Sequence, residues 1–438
     1  MDYLKNKLNI PVPRVLGYCS RASETELGAE YIIMEKAPGV ELAQVWGKIK
    51  SRDKVTLVKQ LADITAKLSG AQFPYYGSLY YRKDISETEG KTIDNTFTIG
   101  PTTARAWFDD RRDEVNIHRG PWESASEVIN ALARREAACI NTFATSSRDC
   151  QQGIFNGPGG YSPTNQSKLA VLNDFEKIFR HILPMRDSLK TGIIWHNDLH
   201  ADNIFVDTTD SNQITSIIDW QATPIYPMFL STHHPSLVEF EGPKLEGYTQ
   251  PVLPPNIKEM SPRTKQAAKD LFLSQSLWLL YETQIQKQSP DLLHAFRYAN
   301  THQCQLLQAI GTIFDDGEPY IQSLIADITS TEVWEKIVGT SVSGTPHIPC
   351  PIHYSEDELR AQRDQFAVWE KDVDRRQQVI TEIGAYTGWN GAVSPDEFDE
   401  MSRRLDAAKK RFLDREARTA EERVAWESVW PFQDHTDV

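Results

Sequence analysis

Residues 192–220 read GIIWHNDLHADNIFVDTTDSNQITSIIDW, and this run restricts the possible folds more than any other part of the chain. Three short apolar stretches, 193–195, 203–206 and 215–218, are rich in Ile, Val, Phe and Trp and separated by polar residues. Side chains of that kind suit a pleated, half-buried surface, and the stretches are too short for helices. The pattern predicts a strand–loop–strand unit. It would hold residues 196–203 as one loop and place Asp219 at the end of the following strand. Three acid or amide groups, Asp198, Asn203 and Asp219, would then converge.

That convergence points to phosphoryl transfer. The reaction needs a carboxylate to orient and deprotonate an acceptor hydroxyl, and hard oxygen ligands to hold Mg²⁺ against the phosphates. A His-x-Asp-x-x-x-x-Asn loop followed by an Asp after a buried strand supplies that set. Asp198 would be the catalytic base, with Asn203 and Asp219 as metal ligands. His196 would anchor the loop by hydrogen bonding to backbone near the Asp219 strand. The competing reading is a polar turn between core strands, with Asp198 and Asp202 capping it. The full spacing with its apolar flanks favours the site.

Elsewhere the chain alternates element types. Tyr3, Leu4 and Leu8 read as helical turns that stop at Pro11 and Pro13, since a proline biases the residue before it away from the helical region. Residues 14–18 and 31–34 read as strands, and so do 78–81 and 97–99. In 53–68, Val55, Val58, Leu61, Ile64 and Leu68 recur at three and four, the mark of a helix with one buried face. Further helices are expected over 123–143, 168–183 and 265–287, the last with Leu271, Phe272, Trp278 and Tyr281 inward. Ser355–Glu358 and Ser394–Glu397 match capping boxes, and Pro395 would be the first helical residue after the second. Phe366, Trp369, Val373, Ile380 and Ile383 form one seam, and Phe398, Met401, Leu405, Ala408 and Phe412 another. Joined by GWNGAVSP, they predict an antiparallel helical hairpin.

The formal net charge is −14 and the pI about 5.3, which disfavours a nucleic-acid surface built on clustered Lys and Arg. Five scattered cysteines show neither disulfide-framework nor zinc-ligand spacing. No run reaches the roughly 20 apolar residues of a membrane span. MDYLKNKLNIPVPRV shows no apolar signal core and no Arg/Ser-rich character. A soluble, cytoplasmic protein is the expectation. Trp107, Trp122 and Trp195 fall around the expected substrate region, where an aromatic cage for a cationic group competes with an ordinary core role. His233 and His234 are adjacent, so they do not share a face as a metal pair would.

HNDLHADNIFVD and SIIDWQ resemble the catalytic and metal-binding loops of the aminoglycoside phosphotransferase and choline kinase superfamily. IPVPRVLGY resembles the strand after the αC helix in that superfamily, and YIIMEKAPGVEL the strand, hinge and lobe connector. GSLYYRKDI, FTIGPTTARAWF and WPFQD look like a fungal branch related to the altered-inheritance-of-mitochondria proteins. The resemblance implies an α/β, protein-kinase-like fold, with ATP and Mg²⁺ as cofactors and a small-molecule hydroxyl as acceptor. It implies that Met34, Glu35, Lys36 and Ala37 meet the nucleotide, that Asp198 is the base, and that Asn203 and Asp219 hold the metal. His200 would be structural or near the acceptor, and Asp202 stands where the family more often has glycine. It also suggests mitochondrial residence.

A kinase-like fold further calls for a Gly-rich phosphate loop and a strand lysine held by a glutamate. No such loop precedes residue 40; Lys5 and Lys7 fall on helix, and Glu24, Glu26 and Glu30 come after it. The expected organisation is a truncated N-lobe over 1–36, a mostly helical C-lobe over 37–345 and a helical extension over 346–438. The alternative to an active enzyme is a catalytically impaired pseudokinase or interaction protein of the same fold.

Overall fold

The fold was examined in a computed structural model, which describes residues 1–432 apart from 210–211, 246, 343, 387–388, 390 and 392, and leaves the side chains of Glu24 and Asp149 undescribed. Parts of GWNGAVSP, the end of WPFQD and the Glu24 side chain therefore lie outside the described residues. The chain forms two compact units, one of residues 1–104, 120–125 and 184–300, the other of 105–119, 126–183 and 301–438. They interleave along the sequence, whereas the sequence reading divides it in order at 36 and 345.

The first unit is mixed α and β. Its strands are β1 (Val15–Cys19), β2 (Tyr31–Met34), β3 (Val40–Glu41), β4 (Gln72–Phe73), β5 (Ser78–Tyr81), β6 (Lys91–Thr92), β7 (Phe97–Gly100), β8 (Gly192–Ile194), β9 (Ile204–Val206), β10 (Ile214–Ile217) and β11 (Ile225–Pro227). They make four small antiparallel sheets: β1–β2, β10–β9–β3, β11–β8–β4 and β5–β7–β6. The helix Asp2–Leu8 ends as expected, with Asn9 in the left-handed region (φ 51°) just before the prolines. The helix Ser51–Gly70 buries Val58, Leu61, Ile64 and Leu68 on the predicted face. It packs on Pro262–Gln288, where its Thr65 hydroxyl meets that of Tyr281 at 3.0 Å in the interior. In Pro262–Gln288 the inward set differs from the expected one. Leu277, Leu279, Tyr281 and Ile285 are buried, while Leu271, Phe272 and Trp278 are only half-buried.

A tight crossing fixes the chain between β2 and β3. Thr215 donates its hydroxyl to the Pro38 carbonyl at 2.6 Å, and Gly39 follows with φ +99°. A Cβ on Gly39 would lie 2.1 Å from the Val206 carbonyl oxygen, so only glycine fits.

The second unit is helical, and among its described residues there is no multi-residue strand. A buried charge network lies in it. Arg112 donates to Glu136 at 2.9 Å and to Asp315 at 3.0 Å, and Arg135 donates to Glu136 at 2.8 Å. Lys168 pairs with Asp316 and donates to the Phe314 carbonyl at 2.9 Å. Such charges are tolerated inside a protein only when paired and hydrogen-bonded in this way.

The C-terminal helices share this core. Trp369 donates its indole N–H to the Asp316 carbonyl at 2.9 Å, and Asp372 accepts the Tyr161 N–H at 2.6 Å. The capping box at Ser355 and Glu358 opens the helix Glu356–Ile383 as predicted. The second does not form at a helix start: Ser394 and Glu397 bond to each other at 2.8 Å, and the helix Phe398–Glu416 begins three residues later than expected. The two side chains close a turn on themselves instead of capping the first helical N–H groups. The helices Glu356–Ile383 and Phe398–Glu416 pack together as the expected pair, and a third helix, Ala420–Ser428, adds Trp426, which packs edge-on against Phe412 with Trp430 beside it.

Candidate active site

The loop 196–203 joins β8 to β9, two strands made of buried Ile and Val. His196 is 1% exposed, and both ring nitrogens are used. Its Nε2–H donates to the Ile218 carbonyl at 2.8 Å, and its Nδ1 accepts the Asp198 N–H at 3.1 Å. These partners fix the neutral tautomer, and burial holds the imidazole below its ordinary pKa of 6.5. Trp220 meets the ring edge-on at 4.6 Å between centroids. The anchoring role read from the sequence is thus the contact observed.

Ile218 is gripped on its other side too, its N–H donating to the Asn203 carbonyl at 3.0 Å. The next residue, Asp219, has φ +67°, a left-handed conformation uncommon outside glycine. Strain of this kind is held only where surroundings over-determine the backbone. Here they do so through Ile218, which ties the ends of β9 and β10 together one residue before Asp219.

Asn203 is buried, and its amide nitrogen has two close partners. Its Nδ2 lies 2.9 Å from the Asp198 carbonyl oxygen and 3.1 Å from His200 Nε2. His200 Nδ1 lies 2.9 Å from Asp202 Oδ2 and 3.2 Å from the Asp202 amide nitrogen, and its Nε2 lies 3.3 Å from Asp198 Oδ2. The Asn203 Oδ1 accepts no hydrogen bond among the described residues, and the same holds for the Asp219 carboxylate. An amide oxygen and a carboxylate left free are donors of the kind Mg²⁺ takes. The Asp198 side chain is 70% exposed, open to an incoming hydroxyl.

Asp202, where the family more often has glycine, has no left-handed backbone, and its carboxylate is taken up by His200. Met34 to Ala37 stand apart from the hydrogen-bonded loop. Glu35 and Lys36 line a separate cavity of about 290 Å³ with Pro11, Pro13 and Ser216, and Met34 is exposed at the end of β2. Glu35 is held by Arg14 at 3.0 Å. The link to the site is backbone: Ile217 donates to the Pro11 carbonyl at 2.8 Å.

Trp107, Trp122 and Trp195 are core residues, each at most 3% exposed. Trp122 packs on Tyr226 and Trp195 on Phe296, while Trp107 lies under Arg135 in the second unit. His234 bonds Glu282 at 2.6 Å and stacks on Phe296, and His233 turns to the Ser231 carbonyl, so the two rings serve different partners. Asp110, Cys150 and Asp315 bring ligand-type atoms within 4.8 Å of one another in the second unit, from three distant segments that no motif connects. Asp315 is already committed to Arg112 there.

A cavity of about 380 Å³ adjoins the loop, with Trp46, Lys54, His200, Asp202, Glu239 and Leu277 in its walls. Its non-loop members come from separate helices and a turn, which is why no spacing in the sequence reveals them.

Residues 160–229 match the model of the phosphotransferase enzyme family. Over 472 aligned positions the chain is 25% identical to a subtelomeric hrmA-associated cluster protein of Aspergillus fumigatus, covering 100% of this chain and 88% of that one. It is 23% identical to altered inheritance of mitochondria protein 9, mitochondrial, of Candida tropicalis, over 92% of this chain and 66% of the relative. The Candida albicans protein of the same name is also 23% identical, over 91% and 66%. A crystal structure from Ralstonia eutropha, described as a candidate aminoglycoside phosphotransferase, superposes with a TM-score of 0.32 at 13% identity, over 86% of this chain and 81% of that one. Residues 160–229, which hold the candidate site, are thus similar to the phosphotransferase enzyme family, and most of the chain is similar to the altered-inheritance-of-mitochondria proteins of fungi.

Proposed function

We propose that this protein is an ATP- and Mg²⁺-dependent phosphotransferase acting on the hydroxyl of a small molecule. The observation that carries the reading is the double grip on Ile218, which holds the free oxygen of Asn203 and the carboxylate of Asp219 at adjoining strand ends. Asn203 and Asp219 would hold the metal, which when bound neutralises charge on the phosphates. Asp198 would take the acceptor's proton as the acceptor oxygen bonds to the γ-phosphorus and the bond to the ADP oxygen breaks. His196, kept neutral and doubly bonded, holds the Asp198 loop in register with Asp219. Met34, Glu35, Lys36 and Ala37 would supply the nucleotide-facing backbone.

Calorimetric titration of MgATP into the purified chain, with Asp219→Asn alongside, tests this. Magnesium-dependent binding that disappears in the variant is expected. Absence of binding by a folded sample would instead favour the pseudokinase or interaction-protein reading. The relatives named mitochondrial support mitochondrial residence, which imaging of the tagged natural gene product would check.

A further inference from the structure

The cavity beside the catalytic loop has a chemical polarity of its own. Lys54, half-buried on the helix Ser51–Gly70, lies with its ammonium 4.5 Å from the centroid of the Trp46 ring. Burial pushes this ammonium below the ordinary lysine range, and Asp270 offsets that only in part. Among the described residues no carboxylate lies within ion-pair distance of it. A cation that is partly desolvated, seated on an aromatic face and not in direct ion-pair contact with a carboxylate is poised to take an anionic group from outside. The opposite wall is the catalytic loop itself. His200 lines the cavity, and its Nε2 lies 3.3 Å from Asp198 Oδ2, so a ligand against His200 is one imidazole ring from the proposed base. Two acidic residues line the cavity: Asp202, which is bonded to His200, and Glu239, which forms no ion pair with Lys54 and leaves that ammonium open to a ligand. Leu273 and Leu277 add apolar surface between the two ends. At about 380 Å³ the space matches a small metabolite.

We infer that this cavity is the acceptor pocket and that the acceptor is a small hydroxylated anion, its acidic group on Lys54 and its hydroxyl toward Asp198. The inference rests on the phosphotransferase reading above and adds the charge class of the substrate. Selectivity comes from Lys54: an anion supplies the missing counter-charge, while a cationic alcohol would place like charges together in a partly dry site.

The test uses three probes of one length and three charges: 4-hydroxybutyrate, 4-hydroxybutyramide and 4-amino-1-butanol. Binding of each to the full chain is measured by ligand-observed NMR with MgADP present, for the natural protein, Lys54→Met and Lys54→Arg. MgATP binding and far-UV circular dichroism are recorded on every sample. The expected result is at least about tenfold tighter binding of the acid than of the amide or amine, using the tenfold-per-1.4 kcal/mol relation. That preference should be lost in Lys54→Met and kept in Lys54→Arg, with MgATP binding unchanged in both. Equal or tighter binding of the amine or amide, no binding of the acid, or an acid preference that survives Lys54→Met would each overturn the inference. Loss of MgATP binding in the natural protein is a separate result, and it counts against the phosphotransferase reading itself.

Discussion

The Nε2–H of His196 donates to the carbonyl of Ile218 across 2.8 Å, joining the start of the loop 196–203 to the residue before Asp219. This contact couples the proposed base to the proposed metal ligand through one buried imidazole. Ile218 answers with its own N–H on Asn203, so a single backbone unit carries both halves of the site.

Replacing His196 with Ala should therefore loosen both halves at once. Two partly buried backbone groups, the Ile218 carbonyl and the Asp198 N–H, would lose their partner, at a cost of up to about 1–3 kcal/mol each. Urea unfolding should show the loss of stability, and MgATP binding should weaken in parallel even though His196 is not a metal ligand.

The same residue gives a pH signature. Burial lowers the folded-state pKa of His196 below its ordinary 6.5, so near and below 6.5 the unfolded chain binds the proton more readily. Its contribution to stability should be complete above 6.5 and decline as pH falls toward the folded pKa. Comparing unfolding of the natural protein and His196→Gln from pH 8 to 5 would isolate that slope; identical slopes would refute it.

Asp219 carries strain that substitution can reveal. At φ +67°, Asp219→Gly should be more stable than Asp219→Ala by about 1 kcal/mol, because only glycine occupies the left-handed region without cost. Both variants should lose MgATP binding, which separates the backbone role from that of the carboxylate.

Gly39→Ala tests the crossing that ties the 35–39 segment to β9. With a Cβ 2.1 Å from the Val206 oxygen and a positive φ, the backbone must shift. A loss of more than about 2 kcal/mol is expected, at the upper end for point substitutions, measured as a fall in the urea midpoint.

In the second unit, Arg112→Met should cost about 3–5 kcal/mol by stranding buried carboxylates. Burial raises Asp315 to about 6, with Arg112 opposing it, whereas at Glu136 the attraction of Arg135 and Arg112 outweighs burial. A raised carboxylate stabilises the fold most at low pH, and that stabilisation is lost as pH rises from about 4 through 6. Asp315→Asn should remove this part of the pH dependence in unfolding experiments.

The candidate site was legible in the sequence because it is local. Asp198, Asn203 and Asp219 fall within one strand–loop–strand run, and strand alternation sets which residues face the core. His196's partner could be anticipated for the same reason. Cap assignments were less secure: Ser355 and Ser394 share one motif, yet only Ser355 faces free helical N–H groups, while Ser394 pairs with Glu397. Motif identity does not say which backbone groups are left without partners.

The sequence by itself determined the loop 196–203, the helix Ser51–Gly70 and the strands around them, since each rests on hydrophobic periodicity or on spacing within about 25 residues. Only the tertiary structure decided that Lys54 and Trp46 line one cavity with His200, that Arg112 reaches Asp315, and that Asp219 takes a left-handed backbone. The first two join residues more than a hundred positions apart, and the third is imposed by what grips Ile218. Proximity of that kind is set by how the chain packs, and no local pattern encodes it.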